Sequence, residues 1–266
     1  TVRSIGTRTL LTQAVRNPST LDEFEPHQQG KIVKLYTGDL SPYSAKVRMQ
    51  IYAMGITDIK FELPFSLFTG KLSELSPIGR IPVMEEDDGT IIPESEVISE
   101  YLDDLFPENA MRGNTPKIRA NVRLVSRIAD IYLMNNIFMA LPQVPRDTRV
   151  DEIRDLLMKQ VTRGMGALER HIGDGDFAVG NTLTIADCTL VPALFLCEQT
   201  VPRLDVDNPI LATEKVAAYW TKIQSNEFAA KILAEMHKGM QQRLDGTEKR
   251  LIEEHFAKIK LAKENG

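Results

Sequence analysis

Between two short apolar runs, Ile81–Glu85 and Thr90–Ile92, the chain carries Asp87-Asp88-Gly89. Asp-Gly flanked by strand-like segments is a strong hairpin signal, because the turn needs backbone angles that glycine adopts freely. The flanking segments fall into place around it. Ile32–Tyr36 reads as a strand and Thr37-Gly38-Asp39 as a turn. A helix then starts at Ser41-Pro42, with serine as cap and proline at the first helical position. Val47, Ile51 and Met54 give it an apolar stripe, and Gly55 ends it. Ile59–Leu63 reads as the next strand, followed by an irregular stretch that contains Gly70 and ends in Ser76-Pro77-Ile78-Gly79. Beyond the hairpin, Glu94-Ser95 opens a helix whose Val97, Ile98, Tyr101, Leu102 and Leu105 share a face, closed by Pro107. The order β-α-β-loop-β-β-α within residues 31–108 describes a small mixed sheet with helices packed on it.

The rest of the chain reads as helical. Residues 107–115 form a linker. Thr115-Pro116 starts a helix in which Ile118, Val122, Val125, Ala129 and Tyr132 keep helical spacing. Residues 151–172 form the next. Thr184 to about Cys197 is almost wholly apolar and is expected to be buried; Thr184 and Asp187 cap it in an S/T-x-x-D pattern, and Pro192 is expected to kink it. Further helices are expected at 213–224 and 226–244. A last one at 247–263 sets Leu251, Ile252, His255, Phe256 and Ile259 against a charged face. The expected organisation is an extension at 1–30, an α/β domain at 31–108, an all-helical domain at 114–246 and a terminal amphipathic helix at 247–266.

Composition narrows the function. No stretch approaches the roughly 18 consecutive apolar residues of a membrane span. The net charge of −5 gives no electrostatic reason to expect nucleic acid as a partner. Cys188 and Cys197 fall on opposite faces of one helix at about 100° per residue, so they are not expected to pair. That points to a reducing compartment, the cytoplasm. His27, His171, His237 and His255 show no ligand spacing, and neither CxxC nor HExxH occurs, so no metal is expected. Residues 1–21 hold Arg3, Arg8 and Arg16 with several Ser and Thr and no acid before Asp22. That composition is mildly like an organelle transit segment; the other reading is a disordered or surface-clasping extension.

Four separated segments resemble the cytosolic glutathione transferases, a resemblance that runs from residue 31 to about 230. Ser41-Pro42-Tyr43-Ser44-Ala45-Lys46-Val47-Arg48 resembles their active-site segment in its serine form. Ser76-Pro77-Ile78-Gly79-Arg80-Ile81-Pro82-Val83 resembles the segment carrying their cis-proline, and Pro93-Glu94-Ser95 the opening of the helix after the hairpin. Gly180-Asn181-Thr182-Leu183-Thr184-Ile185-Ala186-Asp187 resembles the helix cap of their second domain. The implied fold is α/β plus all-α: a thioredoxin-like glutathione-binding domain followed by an all-helical domain that receives a small hydrophobic electrophile. A homodimer is implied as well.

The resemblance also implies roles. A free thiol has a pKa of about 8.5, so a protein that uses glutathione at neutral pH must stabilise its thiolate. Ser41 is the implied holder, its hydroxyl donating to sulfur at a helix N-terminus, with Ser44 as the neighbouring substitute and a plain helix cap as the other reading of Ser41. Ile81-Pro82 would pair its backbone with the cysteinyl unit, while Glu94 and Ser95 would take the γ-glutamyl end and Arg80 the glycine carboxylate. The electrophile pocket is expected between Tyr43 and the first helix of the second domain, with Tyr132, Met134, Asn135, Asn136 and Met139 as candidates. The terminal helix could cover it. Arg119, Arg123 and Arg127 read as a solvated basic stripe. Conjugation or thiolytic ether cleavage of the β-etherase kind is the leading activity. The alternatives are isomerisation of the maleylacetoacetate type, whose usual Ser-Ser-Cys run is replaced here by Leu40-Ser41-Pro42-Tyr43, and a non-catalytic binding protein that kept the fold.

Overall fold

The computed structural model describes residues 31–264, so the extension at 1–30, with the transit-like composition of 1–21, lies outside the described residues. The strands β1 (Ile32–Tyr36), β2 (Lys60–Glu62), β3 (Val83–Glu86) and β4 (Ile91–Pro93) form a sheet of order β2-β1-β3-β4. β1 is parallel to β2 and antiparallel to β3, and β3 is antiparallel to β4. The parallel pair requires a crossover, and α1 (Pro42–Ala53) supplies it. Ile32 pairs with Glu86 and Lys34 with Glu85, so Val33 is one residue too many on β1. Such a bulge reverses the in–out alternation, which lets Ile32 and Leu35 both face the core. The hairpin closes as expected, with Gly89 at φ 87 and its N–H on the Glu86 carbonyl at 3.1 Å.

This is the thioredoxin-like arrangement, with differences at its margins. The stretch expected to be irregular contains two short 3-10 helices, Phe65–Thr69 and Lys71–Glu74, joined at Gly70. In α2 (Ser95–Leu105) the buried line is Ile98 and Leu102, whereas Val97 is 53% exposed. Tyr101 and Leu105 are half-buried against the core, so of the expected face only Val97 is left to solvent.

The helical half begins with α3 (Pro116–Ile128), where the Thr115 side chain accepts from the Ile118 N–H. The helix runs on through a π-helical turn, Ala129–Met134, into α4 (Asn135–Ala140). Then come α5 (Asp151–His171), α6 (Ile185–Thr200), α7 (Glu214–Ile223), α8 (Glu227–Leu244) and α9 (Thr247–Glu264). By hydropathy an 18-residue window of the continuous helix Pro116–Gln143 could cross a membrane, which counting consecutive apolar residues does not reveal. With 56% of that window buried inside the protein, it serves as a core helix.

α6 is buried almost end to end and continues through Pro192. Its cysteines are free, and burial pushes both thiols up, so neither is a nucleophile at neutral pH. The cap at Thr184 forms as read. The Asp187 carboxylate accepts from the Thr184 N–H at 2.9 Å, and also from the Ala178 N–H at 2.8 Å and the Tyr219 hydroxyl at 3.1 Å. The cap thereby fastens α6 to the preceding loop and to α7.

α1 lies between the sheet half and the helical half, packed on α2, α6 and α8. Its apolar stripe is buried as expected. Lys46, Arg48 and Gln50 are at most 2% exposed as well, so α1 is buried all round.

Candidate active site

The β1–α1 junction presents Ser41. Its backbone is extended (φ −73°, ψ 114°), and its Oγ caps α1 by accepting from the Ser44 N–H at 3.3 Å. Accepting that bond leaves the hydroxyl hydrogen available to donate outward, so capping and catalytic use are compatible. Ser41 lines a cavity of about 900 Å³. Ser44 is fully buried and lines neither this cavity nor its neighbour, so it does not replace Ser41 at the surface of the site.

The neighbouring cavity, of about 450 Å³, brings together Arg80, Ile81, Pro82, Glu94 and Ser95. The Ile81–Pro82 peptide is cis. Ser95 is the first residue of α2, where free backbone N–H groups and the helix dipole favour a carboxylate. Glu94 caps that helix at φ 73°, ψ 118°, a conformation that a residue with a Cβ rarely adopts. The two cavities share Tyr43, Arg80, Ile81 and Asn135, so they adjoin along one wall. Burial, followed by the nearby Asp130 charge, pushes the Tyr43 phenol up to about 12. At neutral pH it is therefore a donor and not a base.

Rings are clustered in the larger cavity, where Tyr43, Phe61, Phe65, Phe68, Phe138 and His255 line it beside charged residues such as Arg243 and Lys258. Of the residues expected in the electrophile pocket, Tyr43, Asn135 and Met139 are there; Tyr132 and Asn136 line neither cavity, and Met134 is wholly buried in the core. A π turn runs through these candidates. It adds a residue to the turn and so shifts the phase of everything after it by about 100°. Tyr132 packs at the backbone of α5, where a Cβ added at Gly164 would lie 2.6 Å from its Cβ. The Asn136 side chain donates to the carbonyls of Ile131 at 2.8 Å and Tyr132 at 3.0 Å, satisfying groups that the wider turn frees.

The same turn delivers a residue absent from the sequence reading. Asp130 lines the smaller cavity with Glu96 and Arg127, and beneath them lies the Lys46 ammonium, fully buried and paired with Glu96 and with Asp130 at 3.0 Å. Asp130 Oδ1 has no hydrogen-bond partner. Burial raises the Asp130 carboxyl above the usual range, and Lys46 is the largest opposing influence. Arg127, read as part of a solvated stripe, sits 3.5 Å from Asp130. Nothing in the spacing of Lys46, Glu96 and Asp130 signals that they meet.

α9 and the first 3-10 helix form the outer wall of the larger cavity. The His255 ring stacks on Phe65 at 3.5 Å and 5°, with Phe256 edge-on to the same ring. At the elbow between α8 and α9, Arg243 holds Glu248 through two bonds of 2.8 and 2.9 Å. The terminal helix thus covers the site.

Known proteins match this chain as follows. The family model for the glutathione S-transferase N-terminal domain matches residues 35–110, and that for the C-terminal domain matches residues 151–219. A maleylacetoacetate isomerase of Pseudomonas aeruginosa is 31% identical over 184 residues, covering 65% of this chain and 85% of the isomerase. A stringent starvation protein A homolog of Coxiella burnetii is 26% identical over 188 residues, covering 71% and 85%. Among solved structures, a glutathione S-transferase of Methylobacillus flagellatus KT with glutathione bound has a TM-score of 0.63 at 22% identity, covering 75% of this chain and 98% of its own; at that identity the likeness is one of fold.

Proposed function

Since the chain belongs to the cytosolic glutathione S-transferase superfamily, we propose that it activates glutathione through Ser41 and directs the thiolate at an aromatic electrophile. Glutathione is the cosubstrate that fits this family. One observation carries the reading: Ser41 opens on a cavity lined by rings, and that cavity shares a wall with a second one holding Ile81, Pro82, Glu94 and Ser95. In this reading the Ser41 hydroxyl donates to the sulfur, and the N-terminus of α1 adds partial positive charge, both favouring the anion. Ser95 at the start of α2 takes the γ-glutamyl carboxylate. Glu94 takes the ammonium, with Asp130 as a second acceptor across the cavity, and Arg80 takes the glycine carboxylate. Conjugation and thiolytic ether cleavage both use this arrangement.

Isomerisation of the maleylacetoacetate kind is the second reading, favoured by the identity to the Pseudomonas aeruginosa enzyme. Against it stand the missing Ser-Ser-Cys run and the aromatic cavity, which suits a ring better than a small polycarboxylate. The likeness to the starvation protein homolog keeps a non-catalytic role as the class to be tested against. A homodimer in the cytoplasm completes the proposal. Ile78 and Ile131, which line the smaller cavity, are 55% and 43% exposed, and a second subunit could cover such apolar residues.

The test is calorimetric titration with reduced glutathione at neutral pH, comparing wild type with Ser41→Ala. Binding by both, with proton release lost only in the variant, is expected. No binding by wild type would remove the enzyme reading. Phenol release from a β-aryl ether would then separate cleavage from conjugation.

A further inference from the structure

We propose that α8 is the positioning element of the site: Glu235 and Gly239, with Arg48 between helix and turn, fix residues 37–40 and thereby the hydroxyl of Ser41. The inference rests on the glutathione reading for its catalytic consequence, while the clamp itself is a property of the fold.

Arg48 reaches out from α1 with its side chain 2% exposed. Its Nε donates to Glu235 Oε2 at 2.8 Å. Its Nη1 donates to Thr37 Oγ1 at 2.5 Å and to the Gly38 carbonyl at 3.0 Å, and its Nη2 to the Asp39 carbonyl at 3.1 Å. One guanidinium thus holds three consecutive residues of the turn that leads into Ser41. A planar fork can do this, whereas a lysine ammonium cannot span the same acceptors in fixed geometry. Glu235 is anchored in turn by the Tyr52 hydroxyl at 2.8 Å on its other oxygen. Without Glu235 the buried guanidinium would lack its countercharge, so the order of this turn depends on a helix remote in sequence.

Four residues along α8, on the same face, Gly239 makes the second contact. A Cβ built there would lie 2.8 Å from the Leu40 nitrogen, closer than packed atoms allow, and 3.1 Å from the Leu40 Cβ, a tight contact. The helix backbone therefore lies against the turn, and only glycine permits the approach. The Ser41 N–H donates to the Gly38 carbonyl at 3.1 Å, the same carbonyl that Arg48 holds. Moving the turn moves that carbonyl and the serine with it. The Lys238–Asp39 pair at 3.3 Å also joins α8 to the turn, but both groups are exposed and it adds little.

The experiment compares wild type with Gly239→Ala, Glu235→Gln and Arg48→Lys. Alanine suits a helix interior better than glycine, so Gly239→Ala leaves α8 intact and perturbs only the contact. Amide hydrogen exchange of Ser41, whose N–H is bonded to Gly38, reads the clamp. Ultraviolet absorbance of bound glutathione against pH reads the thiolate, and calorimetry reads affinity. In Gly239→Ala and Glu235→Gln, exchange at the Ser41 amide should rise about tenfold or more. The apparent pKa of the bound thiol should rise by about one unit while glutathione affinity stays within about threefold. Arg48→Lys, which keeps the charge but loses the fork, should move the same readouts in the same direction. Unchanged exchange in all three variants overturns the clamp, whether or not glutathione binds. Faster exchange with an unmoved thiolate pKa overturns the positioning role. Faster exchange in a protein whose wild type binds no glutathione upholds the clamp and overturns the glutathione reading instead.

Discussion

Replacing Lys46 by methionine should destabilise the protein in a pH-dependent way. The ammonium is wholly buried, with Glu96 (21% exposed) and Asp130 (8% exposed) as its partners. Methionine nearly matches the stem of lysine in length, so no sizeable cavity arises and the loss is electrostatic. Removing one partner of a buried ion pair costs about 3–5 kcal/mol, because the remaining charge is left uncompensated. Arg127 stays 3.5 Å from Asp130, but it is half exposed and offsets at most about 1 kcal/mol. A net loss of about 3 kcal/mol at neutral pH corresponds to a fall in Tm of roughly 6–12 °C. Asp130 then sets the pH dependence. Burial already holds its folded-state pKa above the unfolded value, and Lys46 is what most opposes this, so the variant raises it further. A carboxyl with a raised folded pKa binds its proton more tightly when folded, so its penalty fades as pH falls through that pKa. The stability gap between variant and wild type should therefore be widest at neutral pH and narrow in acid. Adding Asp130→Asn to the variant should recover most of the loss at neutral pH. Urea unfolding of the three proteins at stepped pH values measures this. A gap under about 1 kcal/mol at neutral pH, or one that does not change in acid, would refute the reasoning.

Further outcomes follow from the same geometry. Glu94→Gly should hold or raise Tm, because relief of about 1–3 kcal/mol of backbone strain outweighs the entropic cost of about 0.5–1 kcal/mol for glycine. Its calorimetric Kd for glutathione should nevertheless weaken by about tenfold or more as the carboxylate is lost. Ending the chain after Gly246 removes the α9 wall, so KM for a probe such as 1-chloro-2,4-dinitrobenzene should rise by about fivefold with glutathione affinity unchanged. Asp187→Ala strands the Ala178 and Thr184 N–H groups and the Tyr219 hydroxyl in the core, and chemical denaturation should register a loss of about 3–5 kcal/mol.

Much of the fold is legible in the sequence because its signals are local. Asp87-Asp88-Gly89 demands a hairpin whatever surrounds it, Ser41-Pro42 and Thr184 with Asp187 mark helix starts, and the apolar run from Thr184 demands burial. The serine and the Glu94-Ser95 pair stand at two helix starts, so the same local signals locate the candidate site. The electrophile side is less legible. Its walls are set by helix phase, and the π turn at Ala129–Met134 shifts that phase without any change in composition. Asn135 and Met139 reach the cavity while Tyr132 and Asn136 do not, and spacing alone does not say which side of the helix meets the cavity.

The charged residues missed by the sequence reading share one cause. Hydrophobic periodicity treats a helix as having one buried face, and α1 satisfies that rule with Val47, Ile51 and Met54. It is nevertheless a middle layer with protein on every side, and its second buried surface carries Lys46, Arg48 and Gln50. Each meets its partner across a long stretch of chain: Lys46 finds Asp130, Arg48 finds Glu235, and Gln50 finds Asp103 at 3.0 Å. A polar residue in such a layer must find hydrogen-bond partners or be replaced by an apolar one. In this helix Lys46 lies beneath the smaller cavity and Arg48 beside the turn before Ser41, where apolar replacements would leave Asp130 with only the half-exposed Arg127 and would take the guanidinium donors from Thr37 Oγ1 and the Gly38 and Asp39 carbonyls. The buried charges beneath the candidate site therefore lie on the side of α1 that amphipathic analysis passes over.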